Sequence, residues 1–318
     1  MLDSGVHPSS ESRQAAAALA ENFARATPIL RALVSGTPGG DTLVVAVDER
    51  GFPVAQTVAR RPGELPFALV IGRHNRCGLA VPNDNRVSLR HLLLTIWPGQ
   101  AGLLLRGYDL GGRAGVVLAD GARVPGFSAH SCVALSFGRT YLYALPGGPE
   151  GAALLAGEAE DAFRRVTGLT PDGSGQRLAV AAEAGVAELG GYRGVELSQQ
   201  LSRGYLQLRS TKTGHEDDSV RELDVDAEQL QRGLLIGRYS DRCSLAGAGR
   251  NLSRVHALVT EEGPRALLVY DLASTNGVRP GGLREGPSHA VVRMTPEAAC
   301  MLGHFELSWV PNRDLTVH

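Results

Sequence analysis

Residues 271–277 read Asp271-Leu272-Ala273-Ser274-Thr275-Asn276-Gly277, a short polar stretch set within β-rich sequence. Two further pieces precede it, Ser253-Arg254-Val255-His256 and Gly237-Arg238. The same three pieces occur in the first half as Gly72-Arg73, Ser88-Leu89-Arg90-His91 and Asp109-Leu110-Gly111-Gly112-Arg113-Ala114-Gly115. Gly237 lies 165 residues after Gly72, and the same interval separates Ser253 from Ser88 and His256 from His91. The interval falls to 162 at the Asp-Leu pair and returns to 165 between Gly138 and Gly303. Loops change length while strands do not, so this pattern predicts a duplicated domain.

Each piece alone is weak. Asn-Gly is the commonest hairpin dipeptide, and a lone histidine is usually a structural residue. The order and spacing of all three are specific, and together they resemble the forkhead-associated (FHA) domain, a phosphothreonine-binding module of two packed sheets. The resemblance implies a mainly β protein with two FHA-type β-sandwich domains, an N-terminal helix and a partly helical inter-domain segment. The expected division is 1–41 helical, 42–145 first domain, 146–202 linker and 203–318 second domain. Short β-rich runs separated by turns agree with a sandwich in each half. Thr42 to Val47 and Val54 to Val58 read as one hairpin, and Tyr205 to Ser210 with Ser219 to Val225 as another. Glu11 to Ser35 reads as a helix that Pro28 kinks or divides. Ala152 to Val166 and Arg177 to Leu189 read as Ala-rich helices.

A phosphothreonine carries nearly two negative charges and three acceptor oxygens. Its binding needs several donors from different directions, and an arginine can grip two oxygens at once. A sandwich gathers such donors by placing loops from different strands at one end. The resemblance assigns Arg238, Ser253, Arg254 and Thr275 to the phosphate and Asn276 to the peptide backbone beside it. It makes His256 a structural brace, and Gly237 and Gly277 permit tight backbone turns.

The first copy keeps Arg73, Ser88 and His91 but has Leu89, Arg113 and Ala114 where the second has Arg254, Thr275 and Asn276. Each lost hydrogen bond removes on the order of 1 kcal/mol. The first copy therefore reads as degenerate, a structural or docking domain, with residual anion binding through Arg73, Ser88, Arg113 and Arg90 as the alternative.

A net charge of −1 over 318 residues gives no global basic field for nucleic acid. No run is long and apolar enough for a membrane span, and Met1 to Gln14 lacks the apolar core of a secretory signal. A cytoplasmic protein is the expectation, and the Gly- and Ala-rich composition suits a bacterium. Cys77, Cys132, Cys243 and Cys300 show no metal-ligand spacing, so no metal or cofactor is expected. Cys77 and Cys243 stand in matching Arg-Cys-x-Leu contexts and are expected to be equivalent half-buried thiols. No P-loop, dinucleotide fingerprint or nucleophile elbow is present, which argues against an enzyme. The leading reading is a non-catalytic adaptor whose second domain binds phosphothreonine proteins made by a Ser/Thr protein kinase. The alternative is a phosphate-independent assembly subunit. Thr27-Pro28, Thr37-Pro38 and Thr170-Pro171 lie outside both sandwiches and read either as helix-break pairs or as phosphorylation sites that fold back onto Arg238 and Arg254.

Overall fold

The computed structural model describes residues 9–99, 102–168, 202–211, 220–247, 251–263, 265–282 and 287–312. They form two compact units.

The first unit opens with helix α1 (Ser10–Gly36), whose start is capped by the Ser9 hydroxyl accepting from the Ser12 N–H. The helix runs on through Pro28, so of the expected kink or division the division does not occur. A proline inside a helix costs roughly 3 kcal/mol. Leu19, Phe23, Ala26, Leu30 and Val34 recur at helical spacing and are all buried in one cluster, and each such burial stabilises by about 1.5–3 kcal/mol for the larger side chains. Packing therefore overrides the local break.

Eleven strands follow: β1 (Thr42–Val47), β2 (Pro53–Ala59), β3 (Phe67–Gly72), β4 (Leu79–Ala80), β5 (Leu92–Gly99), β6 (Gly102–Asp109), β7 (Val116–Leu118), β8 (Arg123–Val124), β9 (Gly126–His130), β10 (Val133–Phe137) and β11 (Thr140–Pro146). They form two sheets, ordered β2-β1-β11-β10-β7-β8 and β4-β3-β5-β6-β9. The expected β1–β2 hairpin is present. Its turn is closed by the Asp48 carboxylate accepting from the Arg50 and Phe52 N–H groups. Every residue of β1 is buried, because Leu43, Val45 and Val47 pack with α1 while Val44 and Ala46 face the opposite way.

Ala152 to Val166 is two helices rather than one, α2 (Gly148–Leu154) and α3 (Ala159–Thr167). Gly157, at φ +73°, lies between them in the left-handed region. Leu155, Ala162, Phe163 and Val166 join the α1 cluster. The Arg31 Nε–H donates to the Leu155 carbonyl at 2.8 Å, and the Phe23 and Phe163 rings lie 5.3 Å apart. These helices thus pack with α1 on the outer face of the β1 sheet. The helix expected at 177–189 lies outside the described residues.

The second unit contains β12 (Ser202–Ser210), β13 (Arg221–Asp226), helix α4 (Ala227–Arg232), β14 (Leu234–Gly237), β15 (Leu245–Ala246), β16 (Ala257–Gly263), β17 (Ala266–Asp271), β18 (Val278–Pro280), β19 (Val291–Met294), β20 (Cys300–Leu302) and β21 (Phe305–Pro311). The sheets are ordered β13-β12-β21-β20-β18 and β15-β14-β16-β17-β19. Apart from β8, this reproduces the first unit strand for strand. The second hairpin forms as β12 and β13, and its expected tip, Thr211 to Asp218, lies outside the described residues after Thr211. Its core cluster includes Leu206, Ile236, Val259, Val269, Leu307 and Trp309.

Cys77 and Cys243 are equivalent, as expected, but are buried rather than half-buried. Their thiols donate to the Leu89 and Arg254 carbonyls, both at 3.3 Å. Thr27 is 3% exposed and Thr37 is 5% exposed. Their hydroxyls donate to the Phe23 and Leu33 carbonyls. Burial removes both from the reach of a kinase in the folded state, and Thr170 lies outside the described residues. Among the described residues no helix is long and apolar enough to cross a membrane.

Candidate functional site

Strand β14 runs antiparallel to β16, and β16 antiparallel to β17. The end of β14, the start of β16 and the end of β17 therefore share one end of the sheet. Those three positions carry Arg238, Ser253-Arg254 and Thr275-Asn276.

Backbone and side-chain hydrogen bonds join the three loops. The Arg238 N–H donates to the Ser253 carbonyl at 3.0 Å, and the Tyr239 N–H to the Arg254 carbonyl at 3.1 Å. Gly237 makes that approach possible, since a Cβ there would lie 2.3 Å from the Arg254 oxygen. The Thr275 N–H donates to the Ser253 hydroxyl at 3.0 Å. The Asn276 side-chain amide donates to the Asn251 carbonyl at 2.6 Å. Arg238, Arg254 and Thr275 are exposed, while Ser253 and Asn276 are half-buried.

His256 is fully buried beneath these loops. Its Nδ1 accepts from the Ser253 N–H at 3.1 Å, which places the ring proton on Nε2. Nε2 lies 3.0 Å from both the Gly277 carbonyl and the Ser274 hydroxyl. The imidazole thus spans two of the three loops from below and does not reach the surface. Gly277, at φ +71°, turns the chain back into β18.

Sequence reasoning missed Ser274, Asp271 and Asn251. The buried Ser274 hydroxyl accepts from the Gly277 N–H at 2.9 Å while meeting His256. The Asp271 carboxylate accepts from the Ser274 N–H at 3.1 Å, fixing the start of the loop. The signal was an aspartate three residues before the amide it caps. It is present in both copies, since Asp109 accepts from the Gly112 N–H at 2.8 Å.

The first copy keeps the frame. The Arg73 and His74 N–H groups donate to the Ser88 and Leu89 carbonyls, both at 3.0 Å. His91 Nδ1 accepts from the Ser88 N–H at 3.1 Å, and its Nε2 lies 3.3 Å from the Gly115 carbonyl. Burial lowers the proton affinity of His91, opposed by the Gly115 carbonyl and the Asp109 carboxylate. The surface has changed. Leu89 is 48% exposed where Arg254 stands in the second copy. The Arg73 Nε–H donates to the Val87 carbonyl at 2.6 Å, which turns part of the guanidinium onto the chain. Gly112 replaces Ser274, and a Cβ there would lie 2.4 Å from the His91 ring.

No family model matches the chain, and no curated protein matches it. Solved structures of FHA domains do match. The FHA domain of a Chlamydia trachomatis protein shares 18% identity, over 34% of this chain and 98% of that one, with a TM-score of 0.27. An FHA domain from a study of phosphothreonine-dependent interactions shares 21%, over 33% and 95%, with a TM-score of 0.26. Mycobacterium tuberculosis EmbR in complex with a low-affinity phosphopeptide shares 19%, over 34% and 25%, with a TM-score of 0.26. Each of these matches spans about a third of the chain.

Proposed function

We propose that the second unit binds phosphothreonine peptides and that the chain is a non-catalytic adaptor for substrates of a Ser/Thr protein kinase. The observation that carries this reading is the position of Ser253. Its carbonyl holds Arg238 and its hydroxyl oxygen holds Thr275. A hydroxyl that accepts one bond still has its proton to donate. One residue thus ties together the loops bearing a guanidinium, two hydroxyls and a second guanidinium, the set a phosphate dianion needs. The first unit keeps the frame without Arg254, Thr275 or Asn276 equivalents, so it belongs to the reading as a degenerate copy with a structural or docking role.

Fluorescence polarisation of the full chain with phosphothreonine peptides tests the assignment. Binding is expected at roughly micromolar strength, in the range of arginine-based phosphopeptide recognition, and is expected to disappear on phosphatase treatment. Arg238→Ala removes a charge-assisted contact and should cost about 2 kcal/mol. Its melting temperature should stay unchanged, because the side chain is exposed. Equal affinity of wild type and this variant would sink the site.

A further inference from the structure

Strand β2 is the outermost strand of its sheet among the described residues, and β13 holds the same place in the second unit. Alternate residues of such a strand direct their N–H and C=O groups away from its one neighbour. That edge is a template for another chain unless charge, proline or a bulge blunts it. The two edges differ. β13 exposes Arg221, Glu222 and Asp224. β2 exposes Val54, Gln56 and Val58, and no charged residue stands between Arg50 and Arg60. Blunting is confined to one end of β2, at Pro53, where the register with β1 shifts. From Ala55 to Ala59 the register is regular.

Gln56 and Val58 stand opposite Val45 and Leu43, which pack with α1. Opposite residues share a face, so the outward side chains of β2 lie on the α1 face of the sheet. They are nonetheless open to solvent: Val54 is 39% and Val58 41% exposed, and Phe52 just before the strand is 63% exposed. The segment Val54-Ala55-Gln56-Thr57-Val58 is also nearly symmetric about its centre. A two-fold axis at Gln56 sets Val54 opposite the second copy's Val58, Ala55 opposite its Thr57, and Gln56 opposite its own equivalent. Just outside the strand the same axis sets Phe52 opposite Arg60, and Arg60 is exposed. A guanidinium across from an aromatic ring is a favourable pair. No like charges are opposed anywhere from 52 to 60.

We propose that the chain self-associates through β2: two copies pair these strands antiparallel about a two-fold axis at Gln56 and join their β1 sheets into one. A two-fold contact uses the same surface on both copies, so that surface must be self-complementary. An uncharged edge whose valines meet valines satisfies this, and the charged edge of β13 does not. Two strands of this length bury little beside the roughly 1,200 Å² of a stable complex, so the dimer is weak and concentration-dependent.

The test is sedimentation equilibrium of the full, unphosphorylated chain up to roughly 0.1 mM, in the range of weak association, with a dimer expected at the upper end. Val54→Lys with Val58→Lys sets like charges opposite each other across the axis and should leave a monomer with an unchanged melting temperature. Val54→Lys with Val58→Glu sets opposite charges there and should restore the dimer. Register is read by oxidation. All four native cysteines are buried, so an introduced thiol is the exposed one. Gln56→Cys should cross-link to its own equivalent. Val54→Cys alone should not, because the axis places its two copies about 13 Å apart along the strands, whereas Val54→Cys mixed with Val58→Cys should. None of these positions lies in the loops assigned to phosphothreonine, so the outcome is independent of that reading. A wild type that stays monomeric, a doubly lysine-substituted chain that still dimerises, or cross-linking of Val54→Cys as readily as Gln56→Cys would each overturn the proposal.

Discussion

The Ser253 hydroxyl oxygen lies 3.0 Å from the Thr275 backbone nitrogen and accepts its N–H, clasping the loop after β17 to the loop before β16. The same oxygen keeps its own proton, which in the proposed function is donated to the phosphate. The first prediction follows from that double use of one atom.

Ser253→Ala removes the clasp and the donated proton together. Loss of phosphothreonine affinity by about 1–2 kcal/mol is expected, read by fluorescence polarisation. Ser253→Thr retains the hydroxyl and should recover part of it. An alanine variant with wild-type affinity would show that Ser253 only spaces the loops.

His256→Ala should act on stability first. The ring is fully buried and meets the Ser253 N–H, the Gly277 carbonyl and the Ser274 hydroxyl. Removing it leaves backbone groups unpaired, at about 1–3 kcal/mol each. Calorimetry should show the transition of the second unit lowered by several degrees, since 1 kcal/mol corresponds to roughly 4–8 °C in a domain of this size. Ser274→Ala should give a smaller shift in the same direction. Abolished binding with an unchanged transition would instead make His256 a ligand contact.

Grafting Leu89→Arg, Arg113→Thr and Ala114→Asn onto the first unit should create phosphothreonine binding at least tenfold weaker than in the second unit, about 1.4 kcal/mol. The three changes restore donors but not the Ser274 contact that fixes the loop. Adding Gly112→Ser should lower the melting temperature, because its Cβ meets the His91 ring. A triple variant that binds as tightly as the second unit would show that the Ser274 contact is dispensable.

Burial, aided by the charge of Glu150, pushes the Cys132 thiol up from 9.0 to about 11. A folded-state value above the unfolded one gives stability that is fully present below pH 9.0 and lost as pH rises through about 11. Urea midpoints for the first unit should fall across that window, and Cys132→Ala should flatten the fall. In mildly alkaline buffer the native thiol should resist a disulfide reagent until the unit unfolds. Prompt labelling of Cys132 in the native chain would contradict the buried assignment.

The duplication was legible in the sequence because the three motif pieces keep their spacing, and strand lengths tolerate little change. The hairpins Thr42 to Val58 and Tyr205 to Val225 were legible from alternation and turn residues. Arg238, Ser253, Arg254, Thr275 and Asn276 could be named from the motif, and the topology brings their loops to one end of the sheet. Local signals left a division at Pro28 open, and it does not occur because the burial of Phe23, Leu30 and Val34 is a long-range term that a proline rule does not contain. They merged α2 and α3, because Ala-rich sequence favours helix at every position and only packing against α1 places the break near Gly157. Ser274 and Asn251 were invisible as partners because their contacts join residues 18 and 25 positions away, to His256 and Asn276. What the sequence alone determined was the pair of β-rich repeats and the motif residues proposed here as donors, since both are local patterns. Only the tertiary structure decided which loops are clasped, which threonines are buried and that Leu89 is exposed, because hydrogen bonds and burial between distant residues exist only once the sheets have packed.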